Sequence, residues 1–125
     1  MLADMRRYLA PLTLFLLLTS GAASAGSLQL LVTHDAVCGD FARWQREIGP
    51  SYAATPEGRA APLLEIQTDG PLPYGLALAS RPRATPTFIL VDNGREIGRI
   101  EGYGDAARFR AALSGMLQRG GGSAR

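Results

Sequence analysis

Leu28-Gln29-Leu30-Leu31-Val32-Thr33-His34-Asp35-Ala36-Val37-Cys38-Gly39-Asp40-Phe41-Ala42-Arg43-Trp44 is the stretch on which the fold turns. Ser27 to Thr33 is apolar at consecutive positions. A strand exposed on one face alternates, so a continuous run predicts a strand covered on both faces. His34 to Gly39 is polar and contains glycine, which predicts a turn. From Asp40 to Ile48 the period changes. Phe41, Trp44, Gln45 and Ile48 fall at i, i+3, i+4 and i+7, one face of a helix, with Arg43, Arg46 and Glu47 on the other side. Gly49-Pro50 predicts its end. The chain's single cysteine, Cys38, thus stands where a strand has ended and a helix begins.

Downstream, Ser51 to Pro62 holds two prolines and a glycine and reads as loop with one helical turn near Tyr52. Leu63 to Gln67 reads as a second strand, and strand–helix–strand predicts a right-handed parallel crossover. Thr68 to Pro73 is rich in glycine and proline, and Leu76 to Ser80 is read as a stunted helix. Thr87 to Val91 is a third strand. Asn93-Gly94 is a strong hairpin turn signal, and Glu96 to Ile100 alternates as a partly exposed edge strand. Asp105 suits an N-cap. Phe109, Ala112, Leu113, Met116 and Leu117 then form a helical apolar stripe. The resulting order is β-α-β-(α)-β-β-α, a parallel crossover followed by a hairpin and a helix.

Upstream, Met1 to Ala25 has the composition of a secretory signal. Arg6 and Arg7 give a basic start, Leu9 to Leu18 an apolar run, and Ala23-Ser24-Ala25 a small-residue cleavage site. The apolar run is about half of the ~20 residues that span a bilayer, so no stable membrane span is expected after cleavage. The expected organisation is a signal peptide over 1–25, one domain over 26–119 and a flexible tail over 120–125. Export places the protein in the periplasm or outside the cell, where disulfides persist.

The chain has 125 residues, 13 basic and 11 acidic, with a formal charge of +2. The basic residues are scattered rather than clustered, which argues against nucleic acid as a partner. All of them are arginine, so lysine-dependent chemistry is excluded. One cysteine excludes an internal disulfide, and one cysteine with one histidine argues against a metal centre. No cofactor is expected. No motif supports a Cys/His hydrolase.

The element order, with a cysteine at the start of the first helix, resembles the thioredoxin fold: α/β, with a mixed four-stranded sheet flanked by helices. Thr85-Pro86-Thr87-Phe88 is similar to the segment that carries a cis-proline in that fold. Asp92 to Arg99 followed by Gly102-Tyr103 is similar to its hairpin and glycine turn. A closer resemblance is to the small periplasmic thioredoxin-like proteins of bacterial sulfur-oxidation clusters, the SoxS type. It rests on Cys38-Gly39-Asp40-Phe41-Ala42-Arg43-Trp44, Ile48-Gly49-Pro50, Tyr52, Pro86-Thr87-Phe88 and Asp92 through Tyr103, and spans roughly Leu28 to Leu117. The pattern departs at Phe41, which occupies the position of the second cysteine. The dithiol motif has become a monothiol.

The resemblance implies Cys38 as nucleophile and a partner groove built from Gly39, Asp40, Phe41, Thr85 and Pro86, with Pro86 facing Cys38 in the cis isomer and Thr85 offering main-chain hydrogen bonds. Thiol exchange needs the thiolate. A helix start favours the anion, whereas Asp40 and Asp35 oppose it. In the dithiol cycle the second cysteine resolves the mixed disulfide. Here an external thiol donor must do so, and the expected partner is a protein thiol or mixed disulfide, such as a sulfur-carrier protein. The alternative is a redox-inactive module that uses the groove to hold a partner. A third reading, ranked below both, is a covalent homodimer through Cys38. Other features have simpler expectations: Phe41 fills the volume of the missing cysteine, Trp44 belongs to the core, Asp35 and Asp40 are solvated, and Asp40 caps the helix.

Overall fold

A computed structural model describes residues 27–120 of the chain. The expected signal over 1–25, and the expected tail beyond Gly120, lie outside the described residues. Along the described chain run β1 (Leu28–His34), α1 (Gly39–Glu47), α2 (Gly49–Tyr52), α3 (Pro56–Ala60), β2 (Leu63–Gln67), β3 (Thr87–Asp92), β4 (Arg95–Glu101) and α4 (Ala106–Arg119). The strands form one sheet in the order β2-β1-β3-β4. β1 runs parallel to β2, with Leu30 opposite Leu63, and antiparallel to β3, with Leu31 opposite Ile89. β3 and β4 pair antiparallel. This is the mixed four-stranded sheet with helices that the thioredoxin resemblance implies, and the buried helix side chains all belong to the core on one of its faces. Among the described residues no helix is long and apolar enough to cross a membrane.

The consecutive apolar runs have the expected cause. In β1 and β3, Leu30, Val32, Phe88 and Leu90 face one side of the sheet. There they join Trp44, Ile48, Tyr52, Phe109, Leu113 and Met116 in the main core. Leu31, Ile89 and Val91 face the other side and pack with Ile66. Both central strands are therefore shielded on both faces, and burial of alternate apolar side chains on each face fixes their register. The hairpin is a two-residue turn. Asp92 pairs with Arg95, and Asn93 and Gly94 both take positive φ (51° and 81°), the geometry that an Asn-Gly turn supplies.

The second face differs from expectation. Leu76 to Ser80 is not helical. The connection from Thr68 to Pro86 lies across this face, with Leu76 and Leu78 packed on Leu31, Ile66, Ile89 and Val91. Five residues cannot close enough helical hydrogen bonds to offset nucleation, and these backbone groups find better partners on the hairpin. Ala77 N–H donates to Gly94 O (2.8 Å) and Ala77 O accepts from Glu96 N–H (3.0 Å). The Glu96 carboxylate accepts from Ala79 N–H (3.1 Å), and Arg99 donates to Ser80 O (2.9 Å). Arg81 donates to Thr68 O and Gly70 O, both at 3.2 Å.

In Ser51 to Pro62 the helical turn expected near Tyr52 is present as the end of α2, and a second short helix, α3, follows it where loop was expected. Pro50 and Pro56 sit in their first turns, where a missing N–H costs nothing. Thr55 caps α3 by accepting from Gly58 N–H (3.0 Å). Tyr52 closes the segment on itself, with its hydroxyl donating to Ala61 O (2.6 Å) at the end of α3.

Candidate functional site

The site lies at the end of the sheet where β1 finishes and β3 begins. Cys38 is the N-cap of α1: its backbone is extended (φ −80°, ψ 106°), and Sγ accepts from the N–H of Phe41 at 3.4 Å. This overturns the expectation that Asp40 caps the helix. Asp40 lies inside the first turn, exposed, with its carboxylate 3.1 Å from Arg43. The cysteine occupies the position usually held by a serine or aspartate oxygen, so a backbone donor points at the sulfur.

On its other side the sulfur meets the segment before β3. Cys38 Sγ lies 3.2 Å from Thr85 O, to which the thiol donates. The Thr85–Pro86 peptide bond is cis. Three further contacts hold this segment. Thr87 Oγ1 donates to Ala84 O (2.5 Å), Gly102 N–H donates to Pro86 O (2.7 Å), and Thr85 Oγ1 donates to Asp35 Oδ2 (3.4 Å). Gly102 reaches Pro86 from a turn with φ 78°, a conformation that glycine tolerates without strain. Among the described residues the Thr85 N–H meets no acceptor.

The expected groove residues divide by exposure. Gly39 and Asp40 are exposed and Thr85 is half-buried, so these can meet a partner. Phe41 and Pro86 are buried and shape the site from beneath. Around Gly39 there is open space, with nothing within 4 Å of where a side chain would start. Val37, immediately before the cysteine, is 91% exposed. The residues on either side of Cys38 are thus open to solvent, and the cysteine itself is half-buried.

Phe41 does more than fill volume. Its ring stacks on the imidazole of His34 (centroids 4.2 Å, planes 6° apart) and lies 6.0 Å from Trp44 on the other side. His34 Nε2 in turn lies 3.7 Å from a Glu65 carboxylate oxygen. Trp44 is fully buried, as expected of a core residue. The row of His34, Phe41 and Trp44 anchors the first turn of α1, and with it the N–H aimed at the sulfur.

Two neighbours of the site make long-range contacts that sequence spacing does not show. Tyr103, buried at the turn after β4, hydrogen-bonds through its hydroxyl to Glu47 at the end of α1. Burial first, and the Glu47 carboxylate second, push its phenol up to about 12. Arg43 donates to Tyr103 O (2.8 Å), with its guanidinium 5.1 Å above the Tyr103 ring. Asp35 is the other. Its Oδ1 accepts from Val37 N–H (3.2 Å) while Oδ2 receives the Thr85 hydroxyl. An aspartate two residues before the N–H it accepts is an Asx turn, and that was the signal available in the sequence. Among the described residues no three His, Cys, Asp or Glu side chains cluster to hold a metal ion.

A mixed sheet with a cysteine capping the helix after its central strand, and a cis-proline segment against the sulfur, defines a thioredoxin-fold protein. The thioredoxin of Malassezia sympodialis shares this fold (21% identity, TM-score 0.50, covering 74% of this chain and 76% of that one). The crystal structure of the reduced periplasmic thioredoxin SoxS from Paracoccus pantotrophus is much more similar. It is 42% identical, with a TM-score of 0.73, over 74% of this chain and 98% of that one. The chain belongs to the SoxS family of thioredoxins. No family model matches it, and no curated protein is significantly similar.

Proposed function

We propose that this chain is a periplasmic monothiol exchange protein with Cys38 as its nucleophile. The observation that carries the reading is the setting of the sulfur. It caps a helix, lies against the Thr85–Pro86 segment, and has exposed residues, Val37 and Gly39, on either side. The similarity to a periplasmic thioredoxin supports both the redox chemistry and the compartment. The signal-like composition of residues 1–25 supports export, and an exported protein whose mass begins at Gly26 would establish the cleavage.

The cycle has two steps. The Cys38 thiolate attacks one sulfur of a partner's mixed disulfide. The partner's S–S bond breaks, the leaving sulfur departs with the electron pair and takes up a proton, and a bond from Cys38 to the other sulfur forms. With Phe41 in place of a second cysteine, an external thiol then attacks this new disulfide. It releases the Cys38 thiolate and leaves joined to the second sulfur. The external thiol is the reductant, and no cofactor enters. The Thr85 N–H and the exposed Gly39 and Asp40 receive the partner's backbone. A sulfur-carrier protein whose thiol has become blocked is the partner class this reading favours.

The test is to purify the exported protein without reductant, identify by mass spectrometry what is joined to Cys38, and repeat with Cys38→Ser. A covalent adduct on Cys38 that external thiol removes is expected, with no adduct on the serine variant. Absence of any adduct, with a thiol that reacts with disulfides no faster in the folded chain than in the urea-unfolded chain, would sink the reading. One observation favours the binding-module alternative: the thiol already has an acceptor in Thr85 O. In that case Cys38→Ser keeps partner binding and function in the cell.

A further inference from the structure

We propose that Asp35 is the positioning residue of this site, clamping the two chain segments that face each other across the sulfur. The inference rests on the exchange reading of Cys38. Asp35 is half-buried at the end of β1, and each of its carboxylate oxygens has a different task. Oδ1 accepts from Val37 N–H at 3.2 Å and sets the turn that delivers Cys38 to the helix start. Oδ2 receives the hydroxyl of Thr85, 50 residues away in sequence, at 3.4 Å. The same Thr85 offers its main-chain carbonyl to the Cys38 thiol at 3.2 Å. One carboxylate thus joins the turn that carries the nucleophile to the groove wall opposite it.

The other anchors of the wall do not do this. Thr87 Oγ1 bonds within the segment, to Ala84 O, and Gly102 N–H holds Pro86 from the β4 side. The buried Thr33 hydroxyl accepts from Thr87 N–H (3.2 Å), but it joins β3 to β1 within the sheet and does not reach the turn that carries Cys38. Besides the sulfur itself, which reacts and so cannot serve as a fixed tether, Asp35 is the link between the wall and the cysteine's own turn. When Cys38 ionises it ceases to donate to Thr85 O, and the carbonyl then faces an anion. The hydroxyl-to-carboxylate contact remains, so the wall keeps its place while the sulfur bonds to a partner. At 3.4 Å the contact is long for a hydroxyl on a carboxylate, so its role is to join the two segments rather than to add strength. The clamp matters to a partner that uses the wall, an extended peptide, and not to a small disulfide that touches only the sulfur.

The test compares two disulfides that release the same chromophore: a symmetric aromatic disulfide, and a ten-residue peptide whose cysteine is joined to the same aromatic thiol. For Asp35→Ala and for Thr85→Val the peptide reaction is expected to slow about fivefold relative to the small disulfide, the order of one ordinary hydrogen bond. The small disulfide serves as the reference, because it reads whatever the loss of the Asp35 charge does to the thiol itself. Thr85→Ser, which keeps the hydroxyl, should restore the peptide rate. The double variant Asp35→Ala/Thr85→Val should lose no more than Asp35→Ala alone, because the contact that Thr85→Val removes is then already gone. Equal slowing with both disulfides would overturn the clamp, since Asp35 would then act on the sulfur or on folding. Unchanged peptide rates, or losses that multiply in the double variant, would overturn it too. A wild-type protein that reacts with neither disulfide overturns the exchange reading itself, and is told apart by that.

Discussion

At the scale of single residues, the substitution that defines this chain is phenylalanine at the second motif position. Phe41 lies buried between His34 and Trp44, and its N–H reaches the sulfur three residues earlier. Phe41→Cys is therefore expected to have two effects. It creates a second thiol at helical i, i+3 spacing from Cys38. Under oxidation the chain should then form an internal disulfide, seen as a loss of two hydrogens and of free thiol. In the reduced state it removes a ring from the packed row. Truncations of this kind cost about 3–4 kcal/mol, which thermal or denaturant unfolding would register. A reduced variant as stable as the parent chain would show that neither the volume nor the stacking of the ring supports the fold. The residue scale is also where the sequence says least. Asp35 looks like a solvated loop acid, because its partner Thr85 is 50 positions away and no spacing rule connects them.

At the scale of elements, periodicity and turn chemistry were reliable where the sequence neighbours are also the structural neighbours. The apolar stripe of α4, its Asp105 cap (Oδ1 to Arg108 N–H, 2.8 Å) and the Asn-Gly hairpin all appear as read. The connection from Thr68 to Pro86 was not legible, because what holds it is distant: two β4 side chains and the hairpin backbone. Glu96 and Arg99 form the central pair (2.5 Å, side chains 8% and 18% exposed), and each also binds the connection's backbone. Removing one partner leaves a largely buried charge. Arg99→Met is therefore expected to destabilise the domain by about 3 kcal/mol. Breaking the exposed Asp40–Arg43 pair with Asp40→Asn should cost under about 1 kcal/mol. Urea unfolding of the two variants side by side would check the contrast. Equal losses would show that the connection is held by Leu76 and Leu78 alone.

At the scale of the whole molecule, stability in alkali follows from two buried phenols. Burial, with Glu57 adding to it, raises Tyr52 far above the ordinary range. Burial, with Glu47 adding to it, brings Tyr103 to about 12. The ordinary phenol ionises near 10. Between pH 10 and 12 the unfolded chain therefore loses protons at these two positions that the folded chain keeps. Stability is complete below pH 10 and falls as the pH rises through that window, by up to about 2.7 kcal/mol per pH unit for two protons. The unfolding free energy followed from pH 9 to 12 should show this decline. Tyr103→Phe should reduce its slope by about half, while lowering stability at pH 7 through loss of the Glu47 contact. A pH-independent unfolding free energy across that range would mean the phenols ionise alike in both states.

β1 also gives the molecule a direction. At its start, Ser27 is tied to the hairpin through Asn93 N–H and Asp92. Its far end leads into the turn that carries Cys38. Seven residues of strand separate the two by about 23 Å. Whatever holds the chain by its N-terminal side therefore grips the pole opposite the thiol. A chain fixed to a surface through Ser27 would hold its sulfur at the far end, like the tip of a probe on a handle.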